Sequence, residues 1–144
     1  MTLLDFAISG STLASGSQGL FPMVERAESL PSDAHPDIVL LQGGTNDYFK
    51  NIPLGEVDSG DPECFYGALR LTILSLQQRY PDAQILGFTP WISDGARNQA
   101  GLELRDYSEA MITVCRDFGC ICYDAGDADG NGIHMDQTEF RSRY

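Results

Sequence analysis

The sequence predicts a parallel α/β fold, and three observations carry that prediction. Short apolar runs of strand length alternate with longer stretches of helical period. Each run ends at a glycine, threonine or aspartate turn, and each is short and mostly apolar, as strands buried on both faces are. The resulting order of strand, helix, strand, helix, strand, helix, strand implies one sheet with helices on both faces.

Residues 3–8 (Leu-Leu-Asp-Phe-Ala-Ile) are the first strand candidate, and a weaker helix is expected over 19–30, stopped by Pro31. Residues 37–42 (Asp-Ile-Val-Leu-Leu-Gln) form the densest apolar run and the second strand. From about 63 to 80, Phe65, Leu69, Thr72, Ile73 and Leu76 share one helical face, which Pro81-Asp82 closes. Residues 84–88 are the third strand. Leu102, Tyr107, Met111, Val114, Cys115 and Phe118 line a second long helix that stops at Gly119, and 120–123 are the fourth strand. There is no internal repeat or low-complexity tract, and 144 residues with 42% hydrophobic content suit a single domain over 1–144.

Charge narrows the partners. With 21 acidic against 9 basic residues, the net charge of −12 opposes nucleic acid and anionic lipid, whose binding depends on Lys and Arg. No apolar run approaches the ~20 residues of a membrane span. Met-Thr-Leu-Leu-Asp-Phe lacks the basic and long apolar regions of a signal peptide, so the expected location is cytoplasmic by default. Cys64, Cys115, Cys120 and Cys122 lack paired zinc-site spacing and read as reduced thiols in or near the core. Their even number does not establish disulfides.

In parallel sheets, chemistry collects in the loops beyond the carboxyl ends of the strands. Here those loops begin at Ser9-Gly10-Ser11, at Gly43-Gly44-Thr45-Asn46-Asp47, at Thr89-Pro90-Trp91 and at Asp124. The Gly-Gly-Thr-Asn-Asp string also suits a plain turn, and Gly10 suits a strand-ending turn. Yet Gly43-Gly44-Thr45-Asn46-Asp47 after a buried strand resembles the third conserved block of the SGNH (GDSL-type) hydrolase family. Phe6-Ala-Ile-Ser-Gly10-Ser-Thr-Leu-Ala14 is similar to its second block. The stretches Phe65-Tyr-Gly-Ala-Leu-Arg70, residues 80–90 and Asp106-Tyr-Ser-Glu-Ala-Met111 look like the bacterial branch in order and spacing.

The resemblance implies a flavodoxin-like three-layer α/β/α sandwich and serine acyl transfer on an ester, with no cofactor. It implies a small-molecule substrate such as an acylated sugar or lipid. On this reading the Gly10 N–H and the Asn46 amide are oxyanion donors. A neutral, rigidly aimed donor stabilises the charge that develops on the acyl oxygen. Gly44, Thr45, Asp47 and Trp91 are the expected substrate-side residues, although Trp91 equally suits a core or rim aromatic.

The pattern departs from the family in two places. Gly-Asp-Ser, the block that carries the nucleophile, occurs nowhere in the 144 residues. Ser9, Ser11, Ser15 and Ser17 lie outside any Gly-x-Ser-x-Gly elbow and read as loop residues. The chain is therefore expected to lack the family's first strand and its loop, about 25 residues by βαβ lengths. With strand order 2-1-3-4-5, that strand would lie between the 3–8 and 37–42 strands. Its loss would leave two edges whose unpaired groups cost about 1 kcal/mol or more each, and a poorly stable fragment.

The family's Asp-x-x-His block has one candidate, His134, but Asn131 stands where the aspartate would be. The 122–134 stretch also resembles the segment just before that block, which would make His134 a loop residue near the site. His35 precedes a strand and reads as a surface residue. Two other functions compete. Asp127-x-Asp129-x-Asn131-Gly132 opens like an EF-hand loop but has Thr138 at its twelfth position, so no metal site is expected. The other is a catalytically inactive family member that binds a ligand or partner.

Overall fold

The computed structural model describes residues 2–15, 21–91 and 95–126. Along them run helix α1 (Met23–Ala27), strand β1 (Ile38–Gln42), helices α2 (Thr45–Phe49) and α3 (Phe65–Arg79), strand β2 (Gln84–Phe88), helix α4 (Leu104–Asp117) and strand β3 (Ile121–Tyr123). The strands are parallel in the order β1-β2-β3, with Leu40 opposite Leu86 and Leu86 opposite Ile121. The parallel α/β fold expected from the sequence is present.

Local chemistry accounts for the helix ends. Helix α3 stops at Tyr80, whose φ of −129° leaves the helical region, as the residue before Pro81 must. Helix α4 begins with the Asp106 carboxylate accepting the Glu103 N–H at 2.7 Å. It ends where Gly119 takes φ +68°, a left-handed conformation that side chains disfavour.

One face of the sheet, carrying Leu41, Ile85 and Gly87, is buried. Gly87 lies beneath α4, since a Cβ there would stand 2.8 Å from Cys115 Sγ and 3.5 Å from Met111 Cε. Tyr107 is the hub of the core. Its ring meets Phe65 edge-on at 5.0 Å and Tyr48 at 6.1 Å, while its hydroxyl donates to Ile52 O and accepts from Asn98 Nδ2. Burial, the largest cause, pushes the Tyr107 hydroxyl up to about 12, so it remains a donor.

Four expectations change. Residues 3–8 form no strand and are exposed throughout, because no described strand offers them a ladder. The 19–30 helix shortens to Met23–Ala27, with 16–20 lying outside the described residues. Residues 45–49, expected as loop, are helical, which puts Asn46 and Asp47 in the first turn of α2. Helices on both faces were expected, yet the described residues leave Ile38, Leu40, Ile121 and Tyr123 of the other face exposed, Leu40 at 62%.

Tyr107→Phe keeps the ring packing but leaves the buried Ile52 carbonyl without its donor. It should cost about 1–3 kcal/mol. Urea unfolding should show a lower midpoint with an unchanged slope.

Candidate active site

The site is built on the turn that follows β1. Gly44 caps α2 with φ +105°, and a Cβ there would come within 2.9 Å of Pro90 Cγ and 3.3 Å of Phe65 Cζ. Conformation and space both demand glycine at this position. The turn thus packs against the loop that leaves β2.

Asn46 and Asp47, which follow in α2, both turn toward the 11–14 loop. Asn46 Nδ2 donates to Ser11 O at 2.9 Å. Asp47 is 0% exposed, and its carboxylate accepts Leu13 N–H at 3.0 and 3.1 Å and Ala14 N–H at 3.0 Å. Burial raises the Asp47 pKa, and the amides of Ala14 and Leu13 oppose that rise. Expected on the substrate side, Asp47 instead faces the interior and binds loop amides.

That loop has further ties. Thr12 O and Leu13 O accept from Met23 N and Val24 N and so close the amino end of α1. Ser11 Oγ donates to Phe21 O at 2.7 Å and accepts from Arg26 at 2.9 Å, so its hydroxyl is committed to structure. Ser15 Oγ donates to Pro62 O. Gly10 is exposed, with φ +81° and open space around it, in the turn closed by Ser11 N to Ile8 O. Gly10, on its turn, and Asn46, in the first turn of α2, therefore stand side by side at the carboxyl end of β1, and Thr45 is partly buried beside them.

A second polar cluster joins the ends of β2 and β3. The fully buried Thr89 donates through Oγ1 to Asp124 Oδ1 at 3.0 Å and accepts from Ala125 N at 2.9 Å. Asp124 Oδ2 accepts from Arg105 at 2.6 Å, and this bond is the main cause that raises the guanidinium pKa. Pro90 O accepts from Ser108 Oγ. Trp91 follows, partly buried, alongside Gly126. Because Pro90 also packs on Gly44, the loops after β1, β2 and β3 form one continuous edge.

His134, Asn131 and the acidic turn at 127–132 lie outside the described residues. His35 is exposed just before β1, at the opposite end of the sheet. Among the described residues no cluster of three His, Cys, Asp or Glu could hold a metal, and no helix is long and apolar enough to cross a membrane. Sequence reasoning missed the roles of Thr89, Arg105 and Arg26. Their partners are distant in the chain, and no local pattern announces them.

Asp47→Ala strands two buried amides, so it should lower stability by about 2–4 kcal/mol, and Asp47→Asn, which keeps one acceptor oxygen, by less. The raised Asp47 pKa means the folded state binds its proton more tightly than the unfolded chain does. Ionisation of this group therefore subtracts stability as pH rises from the ordinary carboxylate range through the raised value. The wild-type advantage over Asp47→Asn should be largest below that window and shrink above it, as read by denaturant unfolding across pH.

Residues 2–142 match the model of the GDSL-like Lipase/Acylhydrolase family. No curated protein matches the chain. Among solved structures, one superposes with a TM-score of 0.82 at 28% identity, over 94% of this chain and 64% of that one. A protein from Lactobacillus plantarum has a TM-score of 0.72 at 31% identity, over 83% and 61% of the two chains. A protein described as a GDSL-like lipase from Bacteroides uniformis has 0.61 at 27%, over 84% and 55%. The chain thus spans less than two thirds of the length of each of these solved relatives. With a family match that runs almost end to end, on a parallel α/β fold, the chain belongs to the GDSL-like lipase/acylhydrolase family.

Proposed function

We propose that the edge formed by Gly10, Ser11 and Asn46 is the oxyanion side of a serine acyl-transfer site acting on a small-molecule ester, such as an acylated sugar or lipid. Family membership supports ester hydrolysis as the class of reaction. The observation that carries the finer reading is the Asn46 amide at the carboxyl end of β1, bound to Ser11 O beside Gly10.

An amide NH2 has two hydrogens. Ser11 O takes one and sets the plane of the amide, and the other is the proposed donor to the oxyanion. The exposed Gly10 supplies a backbone N–H from the facing loop. Asp47 acts one step back, as a positioning residue that holds the loop against α2. Thr45 and Gly44 shape the near wall, and Trp91, emerging from Pro90, the far one. A serine from a Gly-Asp-Ser block would attack the ester carbonyl to give an acyl-enzyme, which water then hydrolyses. His134 is the candidate base within this sequence, with Asn131 in place of the orienting aspartate.

The sequence itself favours a second reading. Gly-Asp-Ser is missing from the 144 residues, so this chain by itself would bind rather than cleave. The two readings separate with p-nitrophenyl esters. The 144-residue chain should hydrolyse them no faster than its Asn46→Ala variant, and a serine-reagent-sensitive rate that falls on Asn46→Ala would overturn that expectation.

In a protein that also carries the Gly-Asp-Ser and Asp-x-x-His blocks, Asn46→Ala should lower kcat by roughly 100 to 1,000-fold with little change in KM, because the lost bond strengthens in the transition state. Its midpoint of unfolding should move little. Asp47→Ala should lose activity in step with folded protein. Near-full kcat in folded Asn46→Ala would sink the oxyanion assignment.

A further inference from the structure

Two thiols that play no part in the site above border one small space under the middle of the sheet. Gly87 of β2 pairs in register with Cys122 of β3, and Cys115 of α4 lies over Gly87. A Cβ on Gly87 would stand 2.8 Å from Cys115 Sγ and 3.5 Å from Cys122 Sγ, so both sulfurs line the space that the missing side chain leaves open.

The environments of the two differ. Cys115 is fully buried, while Cys122 is partly exposed on β3, between the exposed Ile121 and Tyr123. The neighbouring Cys115 thiol is the main cause that lowers the Cys122 pKa, against burial. Cys122, with burial second, pushes Cys115 up. One sulfur is thus the accessible, thiolate-prone partner and the other a sheltered resolving thiol. The remaining cysteines are occupied elsewhere. Cys64 precedes α3 beside Ser59, and Cys120 faces Gln77 and Phe118 O.

We propose that Cys115 and Cys122 form a reversible disulfide by exchange with a low-molecular-weight disulfide such as oxidised glutathione, stapling α4 to β3. The Cys122 thiolate attacks one sulfur of the small disulfide, forms a mixed disulfide and expels one small thiolate. Cys115 then gives its proton to the expelled thiolate, and its sulfur attacks Cys122 Sγ and expels the second small thiolate, which takes a proton from water. Two protein thiols are oxidised and one small disulfide is reduced, so electrons balance. The staple would tie the carboxyl-terminal end of α4 to β3, while the Arg105 to Asp124 bond ties the amino-terminal end of α4 to the loop after β3.

The test is to incubate the folded 144-residue chain with oxidised glutathione, alkylate the free thiols and map peptides without reduction. The expected product is a peptide pair joined through Cys115 and Cys122, with the loss of two hydrogens from the intact mass. Cys64 and Cys120 should be alkylated, and dithiothreitol should restore the starting chain. The oxidised chain should melt about 5 °C or more higher, as closing a short loop predicts. In Cys115→Ser the reaction should halt at Cys122 as a stable glutathione adduct. A crosslink through Cys120, or a glutathione adduct that persists on Cys122 in the unaltered chain, would overturn the proposal. The mapping of the unaltered chain decides the matter even where Cys115→Ser fails to fold.

Discussion

A single buried carboxylate organises the edge on which the proposed chemistry stands. Asp47 has given up solvent entirely and is satisfied by the amides of Leu13 and Ala14. Burying an ion is costly unless fixed donors replace its water, and these amides do so only while the 11–14 segment keeps its present path. The same segment closes the amino end of α1 through Thr12 O and Leu13 O and presents Ser11 O to Asn46. Loss of the carboxylate would release α1, the Gly10 turn and the orienting partner of Asn46 together. The raised pKa of Asp47 is the trace of that desolvation, moderated by the amides that hold it.

The opposite side of the edge follows the same logic with different groups. Thr89 cannot keep a buried hydroxyl without partners, and it finds them in Asp124 and Ala125, which locks the end of β2 to the end of β3. Arg105 reaches across from α4 to complete the set. Pro90 packs on Gly44, where no Cβ fits, and so joins the two polar clusters. Hydrogen bonds and close packing tie the loops where they meet one another. The open space lies around Gly10, and that contrast suits a site that must admit a ligand while its donors hold still.

The family comparison and the exposed apolar residues speak to the same fold. Parallel sheets are ordinarily covered on both faces. Here Leu40, Ile121 and Tyr123 remain open among the described residues, as do Leu3 and Phe6. The chain spans 64% of the solved relative with a TM-score of 0.82 and 61% of the Lactobacillus plantarum protein. The described core, centred on Tyr107, Phe65 and Leu69, packs on the other face.

Much of this was legible in the sequence, because periodicity is a local property. The apolar spacing of Phe65, Leu69, Ile73 and Leu76 placed α3 within two residues of its observed ends, and the unbroken runs at 37–42 and 84–88 marked paired parallel strands. Gly43 to Asp47 could be placed at a strand's carboxyl end by the same means. The pattern of residues 3–8 misled, since a strand exists only with a ladder partner and no local signal supplies one. The short helix at 45–49 was hidden behind residues that also favour turns. What the sequence alone determined was therefore the order and kind of most elements, the family, and the end of the sheet where polar residues collect. Only the tertiary structure decided that Asp47 turns inward while Asn46 meets Ser11, and that Cys115 and Cys122 border the same space beside Gly87. These pairings join residues far apart in the chain or on different elements, and the direction of a side chain depends on which partner the folded chain brings within reach.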